Sequence, residues 1–317
     1  VNTSYLEFEK PVATIMARAA DYRAAGDEAG AKHAEGAGRR LLAETYGRLT
    51  PWQKTLVARH PERPHFRDMV KALVEDFMPL AGDRAFGEDA AIIGGLGRLR
   101  GQGVPVMVIG HEKGHDTATR VKHNFGMGRP EGYRKAIRLV ELAGRFNVPV
   151  VTLIDSAGAY PGIDGEERGQ AEAIARATEA FIGAPVPIIA AITGEGMSGG
   201  AIALAAADRV IMFEHAVYAV ISPEGCASIL WRTADKTNSH APEAAEAMRV
   251  TAADLKKLGV IDLVVGEPLG GAHRDPAAAV AALSMAIAAE LVPLLGMTPA
   301  QLRKTRRSKF IEMGRLL

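Results

Sequence analysis

Val186-Pro187-Ile188-Ile189-Ala190-Ala191-Ile192-Thr193-Gly194-Glu195-Gly196-Met197-Ser198-Gly199-Gly200-Ala201 is the stretch whose reading decides the fold. Val186–Ile192 is a continuous apolar run, the pattern of a strand buried on both faces. Glycines then interrupt it, Ser198–Ala207 reads as a short Ala-rich helix, and Arg209–Phe213 as the next strand. Upstream, Val148–Ile154 is a second buried-strand run, ending in the small-residue turn Asp155–Gly162. Glu166–Ile182 follows as a helix, with Ile174, Ala177, Phe181 and Ile182 on one side. Further upstream lies a short strand at Val104–Ile109. A basic stretch follows it, then a helix opening at Pro130 with Tyr133, Ile137 and Val140 as its stripe. Strands alternating with helices imply an α/β layered core, with ligands expected beyond the carboxyl ends of the strands.

The flanks read differently. Residues 1–78 form an expected helical arm, Ala-rich and charged, with Asn2–Arg40 dense in helix formers and Pro51, Pro61, Pro64 and Pro79 as breaks. The core is expected over 79–270 and a C-terminal helical extension over 271–317. Thr251 and Asp254 start a short helix that Gly259 stops. Asp275–Pro276 and Thr298–Pro299 with Gln301 open two more. Arg303, Lys304, Arg306, Arg307 and Lys309 read as a solvated helix face rather than an RNA site.

Composition excludes several classes. The chain has 317 residues, 48% hydrophobic and 24% charged, which rules out whole-chain disorder. A net charge of +1 implies no nucleic-acid partner. The lone Cys226 allows neither an internal disulfide nor a Cys-based zinc site, and reads as a small buried residue. The longest uncharged runs, Ala180–Gly194 and Pro276–Ala289, fall short of the roughly 18 residues of a membrane span. A cytoplasmic protein without membrane contact is expected. Glycine is abundant, at 34 residues, while aromatics make up only 5%, so backbone is exposed at turns.

Two short patterns carry chemistry elsewhere. His111-Glu112-Lys113-Gly114-His115 matches the zinc-protease pattern H-E-x-x-H, which needs both histidines on one helical face. Here it follows a strand between glycines, so a polar loop is expected and no metal is assigned. Gly194, Gly196 and Gly199 match G-x-G-x-x-G, with Glu214 twenty positions after Gly194, as in a dinucleotide fingerprint. Two strand–turn–helix units precede it, however, and the neighbouring strand also ends in a glycine turn. Paired turns can aim two sets of N–H groups at one oxyanion. Tight strand–helix packing is the competing reading, and from the residues alone both stay open.

At Asp155–Gly162, Gly194–Ala201 and Val220–Trp231 the sequence closely resembles the carboxyltransferase alpha subunits of bacterial acetyl-CoA carboxylase. The likeness continues through Asn124–Met127, Pro130–Ala136, Glu166–Gln170 and Glu267–Arg274, and covers Tyr5 to Met313. The resemblance implies a crotonase-like (ββα superhelix) core with N-terminal and C-terminal helical extensions. It further implies carboxyl transfer from carboxybiotin, borne on the biotin carboxyl carrier protein, to acetyl-CoA, giving malonyl-CoA for fatty-acid synthesis. Implied partners are a carboxyltransferase beta subunit in an α2β2 assembly, which holds the zinc, and biotin carboxylase, which consumes the ATP. Alternatives are a carboxyltransferase or decarboxylase subunit for another acyl-CoA, a non-catalytic assembly subunit, and, more distantly, a nicotinamide-binding protein.

By the same resemblance, the backbone N–H groups of Gly199 and Gly200, with Gly158 and Ala159 opposite, are the expected catalytic groups. Gly194, Gly196, Ser198, Tyr160, Lys122 and Arg129 are the expected substrate-binding residues, Tyr160 either lining the biotin pocket or packing. Relatives more often read D-T-P-G-A-Y-P-G where this chain has Ser156 and Ala157, which touches the donor geometry. The stretch His111–Arg138 carries a net +4 and is a candidate contact for phosphate or carboxylate. Glu195 and Glu224 read as structural, with Glu224 near the pocket.

Overall fold

Eight strands form one sheet in a computed structural model that describes residues 4–231 and 240–315; Asn2 and the last two positions of the extension lie outside the described residues. They are β1 (Val74–Pro79), β2 (Ile92–Leu99), β3 (Pro105–His111), β4 (Val150–Ser156), β5 (Ile188–Met197), β6 (Arg209–Phe213), β7 (Val217–Ala219) and β8 (Leu263–Val265). The order is β1-β2-β3-β4-β5-β6-β8, with β7 pairing beside the far end of β5. β1 to β3 are antiparallel neighbours, and every later pairing is parallel. The crossovers after β3, β4 and β5 carry the helices Pro130–Phe146, Gln170–Gly183 and Ser198–Ala205, as parallel pairing requires. β4 and β5 are buried along their whole length, which is why their first parts, Val150–Ile154 and Ile188–Ile192, read as largely apolar runs.

Several expectations are corrected. β1 lies inside the stretch expected to be helical. β2 was not read at all, because Gly94, Gly95 and Gly97 dilute its strand signal. Those glycines answer a tertiary demand: a Cβ there would overlap Leu139, the Met78 carbonyl and Val74 respectively. β5 runs past Ile192 to Met197, so Gly194 and Gly196 are strand residues rather than turn residues. The expected Glu166–Ile182 helix is two helices, Ile163–Glu167 and Gln170–Gly183, divided at Gly169 with φ +79°.

The flanking helices are fastened to the core. Lys10–Ala24 and Glu28–Tyr46 pair with each other, while Phe66–Leu73 buries Phe66, Met69, Val70 and Leu73 in the main cluster. Arg63 donates to both carboxylate oxygens of Glu267 at 2.8 and 3.0 Å, both side chains being almost wholly buried. The expected caps are present: Thr251, Asp275 and Thr298 accept from Asp254, Ala278 and Gln301 N–H groups. The last helix corrects the solvated-face reading at two positions. Arg306 is fully buried against Asp208, and Lys309 pairs with Asp262, while Arg303, Lys304 and Arg307 are exposed.

The span expectation is also corrected in one respect. Pro276–Leu295 is a 20-residue helix, long and apolar enough to cross a membrane by length and composition, because it continues past the uncharged run through Glu290. One face, with Val280, Leu283, Ile287 and Leu291, packs into the core.

Buried histidines give the fold an acid sensitivity. Burial, reinforced by the nearby charges of His60, Arg274 and Arg63, pushes His273 down to about 3; burial pushes His111 down to about 4. Among the described residues, both ring nitrogens of each lack a hydrogen-bond partner. With unfolded values near 6.5, the unfolded chain takes up these protons first, so stability is present above about pH 6.5 and is lost on acidification. Asp89, raised by burial to about 6, opposes this, but as a single carboxyl. Thermal melts between about pH 7.5 and 4.5 should show Tm falling steadily; a Tm that holds or rises contradicts the assignment.

Candidate functional site

The carboxyl ends of β4 and β5 carry the two glycine turns. Beyond β4, Gly158 has φ +140°, a value few side chains tolerate. The Ser156 hydroxyl ties the turn: it donates to the Gly158 carbonyl at 2.7 Å and accepts the Gly158 N–H at 3.2 Å. The departure at Ser156 therefore retains a hydroxyl that bridges the turn. Beyond β5, Ser198 enters its helix with φ +58°, and Gly199 and Gly200 occupy the first turn. First-turn N–H groups have no acceptor within the helix and stand at its positive dipole end.

The two turns touch. A Cβ on Gly200 would lie 2.7 Å from the Gly158 carbonyl carbon and 2.8 Å from the Ala159 nitrogen. Gly199 is less confined, its Cβ position lying 3.3 Å from Ile174. Gly158, Ala159, Ser198, Gly199 and Gly200 are thus brought together. Tyr160 follows: its N–H donates to the Gly128 carbonyl at 3.0 Å, and the Arg129 guanidinium lies 4.1 Å from its ring centroid while pairing with Asp164 at 2.5 Å. Gly194 and Gly196 sit behind the turns, packed against Asp155 and against Tyr218 with Ile192. Lys122 is apart, on a separate cleft of about 210 Å³ with Arg67, His123 and Lys135.

Five charged side chains that sequence reasoning did not connect underlie the turns. Lys113 Nζ lies 2.6 Å from Asp155 Oδ1 and 3.3 Å from Glu195 Oε2. Arg59 pairs with Glu195 at 2.6 Å and with Glu224, the two glutamates that the sequence reading took as structural. Burial alone would raise Asp155; Lys113 and His65 hold it below the usual carboxylate range. Arg59, Lys113, Asp155 and Glu195 border a cleft of about 330 Å³, reached also by His60, His65, Arg120 and the exposed Phe125. No local signal joins Arg59 to Glu195 across the sequence; the packing of the Pro51–Ala58 helix beside β5 does so.

The +4 stretch is largely engaged internally. Lys135 pairs with Glu88, Arg134 donates to the Arg168 carbonyl, and Arg138 donates to the carbonyls of Leu80, Ala81 and Gly82. The pentapeptide His111–His115 is not helical: His111 ends β3, Gly114 has φ +77°, and His115 stacks on His65 and bonds Asp68. Among the described residues no group of three His, Cys, Asp or Glu is placed to hold a metal ion. The dinucleotide geometry is absent too, since two of the three glycines lie within β5.

A mixed, largely parallel sheet with crossover helices and glycine turns at its strand ends fits the crotonase-like fold, and solved structures agree on that fold. The chain superposes on transcarboxylase 12S with a TM-score of 0.55 at 23% identity, over 70% of this chain and 41% of that one. It matches the beta subunit of Pseudomonas aeruginosa geranyl-CoA carboxylase at 0.56 and 17%, over 79% and 46%, and a chain of a Pseudomonas malonate decarboxylase at 0.56 and 18%, over 73% and 91%. It spans less than half of the first two chains. The chain belongs to the acetyl co-enzyme A carboxylase carboxyltransferase-like family, whose model matches residues 5–314. Proteins named acetyl-coenzyme A carboxylase carboxyl transferase subunit alpha are 65% identical in Rhizorhabdus wittichii and 61% in Erythrobacter litoralis, each over 98% of this chain and 99% of the relative.

Proposed function

We propose that this chain is the alpha half of an acetyl-CoA carboxylase carboxyltransferase, moving a carboxyl group from carboxybiotin to acetyl-CoA to give malonyl-CoA. The observation that carries it is the contact between the Gly158–Ala159 and Gly199–Gly200 turns at the ends of adjacent buried strands. Loss of CO2 from carboxybiotin leaves a ureido anion. That anion removes a proton from the acetyl methyl group, and the enolate so formed attacks CO2 at carbon. Each anion needs N–H donors already in place, because fixed dipoles require no reorganisation as charge develops.

In this reading the amides of Gly199 and Gly200, with Ala159 opposite, hold the ureido oxygen, while the Gly158 N–H, bonded to the Ser156 hydroxyl, shapes the turn. Ser198 and Tyr160 border that point, and Arg129 orients the Tyr160 ring. Gly194 and Gly196 contribute by close packing, and Lys122 serves a ligand only from its separate cleft. The enolate falls to an equivalent hole of a beta subunit, which also carries the zinc; biotin carboxyl carrier protein and biotin carboxylase complete a cytoplasmic complex. Exposed Ile202, on the helix that bears Gly199, and exposed Val220 border one apolar cleft that suits burial by a partner.

The test is carboxyl transfer by the purified chain with and without its beta partner, using acetyl-CoA and propionyl-CoA. The expected result is transfer to acetyl-CoA only when both chains are present. Preference for propionyl-CoA, or CO2 release without transfer, supports another acyl-CoA carboxyltransferase or a decarboxylase instead.

A further inference from the structure

β4 and β5 leave simple register where the site begins. Ile154 pairs with Ile192 and Ser156 with Gly196, so Asp155 stands opposite Thr193, Gly194 and Glu195. The Asp155 carboxylate fills this irregularity, accepting the Glu195 N–H at 2.9 Å and occupying the space a Cβ on Gly194 would need. The Asp155 and Glu195 side chains are only 6% and 7% exposed, and two such carboxylates repel unless a cation lies between them. Lys113, from the turn after β3, is that cation. Its stem packs beneath Gly126, whose Cβ position is 2.9 Å from Lys113 Cγ and 3.0 Å from the Asp155 carbonyl. Asn124, Phe125 and Gly126 all have positive φ there, at 47°, 54° and 80°. Strained backbone of this kind persists only where its surroundings over-determine it.

Asp155 is three residues before Gly158, and Glu195 four before Gly199. We propose that Lys113 is a positioning residue for carboxyl transfer: by clamping Asp155 to Glu195 it sets the separation of the two glycine turns without touching the reacting atoms. The ammonium is occupied by two carboxylates. Burial would lower its pKa, but Asp155 and Glu195 raise it above the ordinary lysine value, so it stays charged and is no proton donor at neutral pH. This inference rests on the transfer reaction proposed above.

The test uses the assembled complex with its beta partner, rates being expressed per complex recovered by gel filtration. In Lys113→Met, kcat should fall about a hundredfold, the penalty of a misplaced site, with KM for both substrates held within about threefold and the pH–rate profile unmoved. Lys113→Arg, whose planar fork can bridge both carboxylates, should return kcat to within about tenfold of the parent. Gly194→Ala pushes a methyl group into the Asp155 carboxylate without changing charge, and should reproduce the kcat loss. If Lys113→Met does not assemble, the arginine and alanine variants decide. The inference is overturned by a Lys113→Met complex within about threefold of parental kcat, or by a loss with a displaced pH profile that arginine does not restore. If Lys113→Met yields no complex, a Gly194→Ala kcat within about threefold of the parent, or an arginine variant more than tenfold below it, overturns the inference. An inactive parental complex counts against the reaction and the inference together; an active parent with indifferent variants counts against the inference alone.

Discussion

Gly200→Val should lower kcat for carboxyl transfer by at least about a hundredfold while the complex with the beta subunit still assembles. The Cβ alone would come within 2.8 Å of the Ala159 nitrogen and 2.7 Å of the Gly158 carbonyl carbon, and these are backbone atoms with no rotamer to yield. The two turns must part, and a hole built from their amides loses its donor spacing; one lost donor typically costs about 2.7–4 kcal/mol of transition-state stabilisation. Gly199→Ala is the milder change, because its Cβ position meets only the flexible Ile174 side chain at 3.3 Å. Single-turnover rates of the two variants should therefore be ordered, with Gly200→Val far slower. Parental turnover in Gly200→Val would sink the assignment of the site.

The largest expected effect on stability comes from Arg306→Met. The guanidinium is wholly buried, pairs with Asp208 at 2.6 and 3.0 Å, and donates to the carbonyls of Phe181, Ala184 and Val186 at 2.8, 2.9 and 2.7 Å. These carbonyls lie at the end of the Gln170–Gly183 helix and just beyond it, where backbone acceptors run out. Methionine fills similar space but leaves Asp208 charged and uncompensated in the interior, which costs about 3–5 kcal/mol. The urea midpoint should fall accordingly, and Asp208→Asn in the same chain should recover part of the loss. An unfolding free energy within about 0.5 kcal/mol of the parent would show that the pair is dispensable.

Local sequence carried much of the architecture. Runs such as Val148–Ile154 and Arg209–Phe213 declare buried strands because one strand's burial needs only its own side chains to be apolar. Thr298 with Gln301 and Thr251 with Asp254 declare helix starts because a cap is completed within four residues. The facing glycine turns were legible as candidates for the same reason, and family resemblance placed the four amide-bearing residues that the structure brings together. Where the sequence misled, the neighbour that mattered was distant. β2 hid behind three glycines whose purpose is room for Leu139, Met78 and Val74. The pentapeptide at His111–His115 has metalloprotease spacing but a strand end and a left-handed glycine for a backbone.

What the sequence by itself determined was the alternation of strands and helices from β3 to β6, the family, and which backbone amides stand at the strand ends. The glycine excess of the chain proved to serve close approach of backbone as much as turning. Only the tertiary structure decided which charged side chains meet beneath those amides. Arg59, Lys113, Asp155, Glu195 and Glu224 come from five separate segments, and Asp155 meets Glu195 across an irregular register between β4 and β5. Propensity and periodicity report on neighbours within a turn or a strand. Charge compensation and the exclusion of a single Cβ are set by chains that meet from far apart, and become visible only once the sheet is assembled.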